Sequence, residues 1–183
     1  MKKIVIIYES VEGHTREVAE RMGAAITAAD CQVSSFPCKS ADSTMLSEAD
    51  GILLGGSIHA GKHNKKLMRF AETHRDLLGA KPSAFFLVCL TAKFTTPEKK
   101  AEVAAYLKDF AERTGFSPGR SVAFAGALKY TKYNFLKRAL MKSISNNQGG
   151  DIDTSRDFVY TDWDAVDAFA KAFVDSPPSP DRH

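Results

Sequence analysis

The chain is poor in several features that would assign it quickly, and each shortage excludes something. It has only three cysteines in 183 residues. Cys31, Cys38 and Cys89 are odd in number and form no C-x-x-C pair, so neither a disulfide framework nor a thiolate zinc site is expected. Buried thiols in a reducing compartment are the expectation instead. No stretch approaches the ~18 consecutive apolar residues of a membrane-spanning helix. The opening "MKKIVIIYES" starts like an export signal, but its apolar run is short and Glu9 and Glu12 follow at once. Export is therefore rejected and a cytoplasmic chain expected. A net charge of +3 is too small to indicate nucleic-acid binding by itself. No Ser/His/Asp or Cys/His constellation supports a hydrolase. His59 and His63 lack a third ligand at suitable spacing, and Gly61 between them reads as loop, so no metal is expected.

What is present is globular: 44% hydrophobic and 26% charged residues exclude wholesale disorder. One domain over residues 1–175 is expected, with a frayed, proline-rich tail at 176–183. "KIVIIY" (3–8) is apolar on both faces, as a central parallel strand is. Val18, Met22 and Ile26 then form one stripe of a helix. "CQVSSFP" ends at Pro37 and reads as a short edge strand. "GILLGGS" (51–57) is a further buried strand, followed by a basic helix carrying Leu67, Met68 and Phe70. "SAFFLVCL" (83–90) is the next strand, and "SVAFAGAL" (121–128) reads as the last. Between these two, Thr96-Pro97 opens a helix with Val103, Tyr106, Leu107 and Phe110 on one face. Thr161-Asp162-Trp163-Asp164 caps a final helix with the stripe Val166, Phe169, Ala170 and Phe173. Five strands alternating with helices give an open α/β sandwich on a parallel sheet. Ligands of such folds collect at the carboxyl ends of the strands.

The loops at those ends are therefore the candidate site. Ser10-Val11-Glu12-Gly13-His14-Thr15 joins a strand to a helix, where backbone N–H groups and the positive helix end converge on an anion. It has neither the lysine of a P-loop nor the three-glycine dinucleotide fingerprint, and an N-cap serine that binds nothing is the equal alternative. Gly55-Gly56-Ser57-Ile58-His59-Ala60-Gly61 offers backbone that can wrap a flat ligand, or a tight turn. Leu90-Thr91-Ala92-Lys93-Phe94-Thr95 and Gly126-Ala127-Leu128-Lys129-Tyr130 complete the set.

From Lys129 to Gly150 the chain carries Lys129, Lys132, Lys137, Arg138 and Lys142 with no acidic residue before Asp151. Tyr133, Leu136, Leu140 and Ile144 are close to helical spacing, so this is a candidate basic amphipathic helix. An ordinary helix with a solvated basic face is the bland reading. A polyanionic ligand or an anionic membrane surface is the functional one.

S-x-x-G-x-T after the first strand, then "GGSIHAG" and "AGALKY", resemble the flavodoxin-like superfamily. More narrowly, "PSAFFLVCL", "AGALKYTKYNF" and above all "GGDIDTSRDFVYTDW" resemble the quinone-dependent protoporphyrinogen IX dehydrogenase family, from residue 3 to about residue 174. The resemblance implies a flavodoxin-like three-layer sandwich with a five-stranded parallel sheet in the order 2-1-3-4-5. It implies a basic helical insertion at about 129–153, non-covalent FMN, and chemistry borne by the flavin with no catalytic side chain. Ser10, Gly13, His14 and Thr15, with Val11 and Glu12, would hold the phosphate. Ser57, Ile58, His59, Ala60 and Gly61 would flank the ring with Leu90, Thr91, Ala92 and Lys93, next to Gly126 and Leu128. Lys129, Lys132 and Arg138 are candidates for the carboxylates of a tetrapyrrole substrate, and Tyr130 and Tyr133 for stacking on it. A quinone would accept the electrons, with the insertion against the inner-membrane surface and a homo-oligomer left open. Two departures stand out. Glu12 occupies a loop position where threonine is usual and is expected to turn its carboxylate outward; "SISNNQ" is more polar than the end of such an insertion. The alternatives are a flavodoxin-like electron carrier, against which the basic charge speaks, and an NAD(P)H:quinone reductase.

Overall fold

The computed structural model describes residues 1–132, 135, 139, 141–143, 151 and 153–175. Five parallel strands form the sheet: β1 (Lys3–Tyr8), β2 (Gln32–Pro37), β3 (Gly51–His59), β5 (Ser83–Cys89) and β6 (Arg120–Ala125). Their order is β2-β1-β3-β5-β6, which is the expected 2-1-3-4-5 arrangement of the long strands. The short β4 (Lys62–His63) adds a sixth strand by pairing antiparallel to the end of β3. β2 lies at the sheet edge, as the terminal Pro37 predicts.

The sheet is apolar on both faces because helices cover both. Along β1, Ile4 and Ile6 join one core with Val18, Met22 and Ile26 of α1 (His14–Thr27) and Val166, Ala170 and Phe173 of α6 (Trp163–Val174). Val5 and Ile7 face the other core. That core takes Leu46 of α2 (Ser43–Glu48), Leu67 and Phe70 of α3 (Lys65–Thr73), Leu78 of α4 (Arg75–Gly79) and Phe110 of α5 (Pro97–Thr114). The Phe85 and Phe110 rings stack there with centroids 4.0 Å apart. The expected caps are present: Thr96 Oγ1 accepts the Lys99 N–H, and Asp162 Oδ1 accepts the Ala165 N–H. All three thiols are free and buried. Among the described residues no helix is long and apolar enough to cross a membrane.

Three sequence expectations change. The run 121–128 is not one strand: β6 ends at Ala125, Gly126 breaks away, and β7 (Ala127–Leu128) pairs antiparallel with β8 (Phe158–Val159) in a second small sheet. A Cβ on Gly126 would lie 3.4 Å from the Cys89 carbonyl carbon, so the chain crosses close to the end of β5 there. Gly55 and Gly56 are strand residues, not loop; a Cβ would fall 2.0 Å from the Phe86 ring and 2.2 Å from Leu67, respectively. Finally, the loop after β3 is a hairpin. Ala60 (φ 48°) and Gly61 (φ 72°) turn β3 into β4 with positive φ at both central residues, as a type I′ turn requires.

Candidate functional site

At the carboxyl end of the sheet lies a cavity of about 380 Å³, within the range of small-molecule sites. The first loop contributes Ser10, Val11, Glu12, His14 and Thr15; the β3–β4 hairpin contributes Ser57 to Gly61. Leu90 and Thr91 after β5, Gly126 and Ala127, and Met141 of the insertion also line it. Thus most of the sequence candidates meet around one space. Gly13, Ala92, Lys93 and Leu128 flank it rather than line it.

Gly13, with φ 92°, is the N-cap of α1, and no side chain caps the helix. Ser10 Oγ instead accepts the Gly13 N–H at 3.1 Å, drawing the loop into a closed turn. The first hydrogen bond of the helix runs from Glu17 N–H to Gly13 O. The N–H groups of His14 and Thr15 therefore precede any intrahelical acceptor and converge at the helix N-terminus, where an anion is favoured.

The His14 ring does not face an anion. Its Nδ1 lies 2.9 Å from Glu17 Oε2 and its Nε2 2.6 Å from Thr161 Oγ1, which is also 2.7 Å from Ala125 O. Burial holds the imidazole below its ordinary range, although the hydrogen bond and the charge of Glu17 oppose this. Burial pushes Glu17 up, but hydrogen bonds from His14 and Lys129 outweigh it and hold the carboxylate low. Lys129 Nζ reaches both Glu17 oxygens, at 3.2 and 3.3 Å, and is buried. Phosphate loop candidate, last parallel strand, insertion start and the segment leading into α6 are thus tied together behind the cavity.

Glu12 departs from expectation. Its carboxylate is 15% exposed, lines the cavity and stands 3.5 Å from His59 Nε2, instead of turning outward. The exposed residue of this loop is Val11, at 55%. Of the substrate candidates, Tyr130 is fully buried, its hydroxyl donating to Asp151 O at 2.8 Å. Lys129 and Tyr130 thus make contacts that seat the start of the insertion on the sheet. Lys132 is exposed, with Nζ 3.5 Å from Glu12 O. Tyr133 and Arg138 lie outside the described residues.

The insertion is fixed at both ends. Asp157 Oδ1 accepts the Thr131 N–H and hydroxyl at 2.9 and 2.8 Å. Asp151 accepts from the Tyr160 hydroxyl and from Lys93, whose ammonium also lies 3.8 Å over the Tyr160 ring. The Lys93 side chain is thereby drawn toward the insertion.

Sequence reasoning missed one part of the wall. Glu102 and Tyr106 of α5 line the cavity. Tyr106 donates to Glu102 Oε1 at 2.9 Å, as does Thr91 at 3.3 Å, and Lys99 donates to Oε2 at 2.8 Å. The Lys99 contact holds Glu102 low, whereas burial and then Glu102 push Tyr106 up to about 12. Tyr106 was legible as a helix-stripe residue; nothing in its spacing shows that its hydroxyl meets Glu102, which in turn reaches Thr91 in the turn after β5. Cys89 also borders the cavity, but burial pushes its thiol up to about 11, which leaves it inert at neutral pH. Among the described residues no cluster of His, Cys, Asp and Glu could hold a metal ion.

The family described as flavodoxin domain matches residues 5–155. A Leishmania major protein named protoporphyrinogen IX dehydrogenase [quinone] is 34% identical over 178 residues, covering 96% of this chain and 76% of its own. The Escherichia coli K12 protein of the same name is 30% identical over 170 residues, covering 92% and 93%. Among solved structures, oxidised flavodoxin 1 from Bacillus cereus has a TM-score of 0.56 at 18% identity, over 96% of this chain and 99% of its own. A short-chain flavodoxin associated with a bacterial microcompartment has a TM-score of 0.57 at 15% identity, over 95% and 97%. These two structures support the fold, while the sequence relatives narrow it: the chain belongs to the flavodoxin-domain family and, within it, to the quinone-dependent protoporphyrinogen IX dehydrogenases.

Proposed function

We propose that this protein is an FMN-dependent dehydrogenase that oxidises protoporphyrinogen IX and delivers the electrons to a quinone in haem synthesis. The observation that carries the reading is the cavity where the first loop, the β3–β4 hairpin and the loop after β5 meet an insertion residue, Met141. FMN fits these residues. The left-handed Gly13 and the converging N–H groups of α1 suit a phosphate, and the hairpin and the Leu90–Lys93 turn form two walls for a flat ring. When bound, FMN would supply two-electron acceptance from the substrate and two-electron donation to the quinone.

The chain's own part is positioning. Ser10, Gly13, His14 and Thr15 would hold the phosphate through backbone N–H and hydroxyl groups, with Val11 and Glu12 giving backbone only. Ser57 to Gly61 and Leu90 to Lys93 would flank the ring, with Gly126 and Leu128 beside them. The insertion would form the substrate side. It begins and ends on the frame built by Lys129, Tyr130, Asp151 and Asp157, which leaves Tyr133 and Arg138 as candidates for stacking and for the substrate carboxylates. An insertion so placed favours an enzyme over an electron carrier, whose partners need open access to the cofactor. Phe135, 83% exposed on this basic segment, suits contact with an anionic membrane surface where quinone is dissolved.

Anaerobic turnover tests the reading. Purified protein with FMN should oxidise protoporphyrinogen IX with a menaquinone analogue and show no NADPH-driven quinone reduction. Absence of porphyrin formation with every acceptor tried would overturn it.

A further inference from the structure

The first loop carries no cation of its own toward the cavity. Its charged side chain is Glu12, and the His14 ring is turned away onto Glu17 and Thr161. A phosphate monoester brings about −1.5 to −2 charges at neutral pH. Among the described residues the neighbouring ammonium groups are engaged elsewhere: Lys93 with Asp151, Lys99 with Glu102, Lys129 with Glu17. Lys132 differs. Its Nζ lies 3.5 Å from Glu12 O and would be 3.6 Å from a Cβ on Gly13, directly beside the α1 N-terminus. Among the described residues it meets no carboxylate.

A cation at a helix N-terminus is repelled by the macrodipole and by the N–H groups there. The placement is nonetheless imposed by the chain. Lys132 ends a 3-10 turn held by its own N–H to Lys129 O at 2.9 Å, by Thr131 on Asp157, and by the fully buried Tyr130. An anion seated between the ammonium and the helix end converts this repulsion into two attractions.

Building on the FMN reading, we infer that Lys132 is the side-chain cation of the phosphate site, so that the insertion, not the flavodoxin-type loop, supplies the positive charge for the cofactor. Lys132 is then a cofactor residue rather than a substrate one. Because binding linkage is reciprocal, the phosphate also fastens the start of the insertion against the first loop.

The test uses the full chain freed of flavin, titrated with FMN and with riboflavin, which lacks the phosphate, and followed by flavin fluorescence. Lys132→Met should weaken FMN about ten- to a hundredfold, the scale of one hydrogen bond to a charged group, and leave riboflavin within about twofold. Lys132→Arg should restore most of the FMN affinity. An FMN-to-riboflavin preference unchanged in Lys132→Met would overturn the assignment while wild-type FMN binding still upheld the cofactor reading. A wild-type chain that binds neither flavin would overturn both.

Discussion

Glu12 Oε1 stands 3.5 Å from His59 Nε2, which links the first loop to the β3–β4 hairpin across the rim of the cavity. A carboxylate so placed lies beside the site proposed for a phosphate. Glu12→Gln should therefore tighten FMN by about two- to fivefold at low salt, the scale of a partly exposed charge interaction, and the gain should shrink as salt is added. Isothermal titration at two ionic strengths checks it; weaker binding in the variant would show that the carboxylate helps hold the loop.

Lys129 separates frame from substrate. Its ammonium sits on Glu17, whose side chain is 37% exposed, so the loss in Lys129→Met should be about 1 kcal/mol after allowance for solvent screening. Urea unfolding should show that loss, and the substrate KM of the folded variant should stay close to wild type. A normal stability with a raised KM would return Lys129 to the substrate site.

The buried glycines of β3 make a packing prediction. Gly55→Ala places a methyl 2.0 Å from the Phe86 ring, which reaches over Gly55 from the neighbouring strand and is itself fully buried. The cost should be about 1–3 kcal/mol, read as a lower urea midpoint. Gly79, with nothing within 4 Å of its Cβ, is the control and should tolerate alanine.

His14 and His63 are both held below the ordinary imidazole value of 6.5, chiefly by burial. His63 gives its Nε2–H to Tyr106 O at 2.8 Å, and its Nδ1 has no hydrogen-bond partner among the described residues. Their unfolded forms take up protons as the pH falls through 6.5, whereas the folded forms do so only lower. The unfolded state thus binds more protons in that window, and stability falls as the pH falls below 6.5; above it these groups add no slope. Denaturant midpoints across this range check the sign, and His63→Leu should flatten the decline.

Much of the fold was legible because its determinants are local. Strands apolar on both faces, such as Ile4–Ile7 and Ala84–Val88, require helices on both sides, and Thr96-Pro97 and Asp162 mark helix starts by their own chemistry. The family-specific stretches carried the strand order and the cofactor expectation. What the sequence by itself determined about this protein was therefore its alternating elements, the end of the sheet at which the candidate site lies, and its run of basic residues after the last parallel strand.

Tertiary structure alone decided which side chains point where. Lys129 and Lys132 are both basic and three residues apart, yet one is buried on Glu17 and the other lies exposed over Gly13. Tyr130 reads as a surface aromatic beside lysines and is instead fully buried against Phe158. Glu12 turns inward, and a two-residue turn brings His59, forty-seven residues later in the chain, beside it. Periodicity records the face a residue shares with its neighbours in sequence. The partner that satisfies a charge or a hydroxyl comes from a different element, and only the packing of those elements selects it.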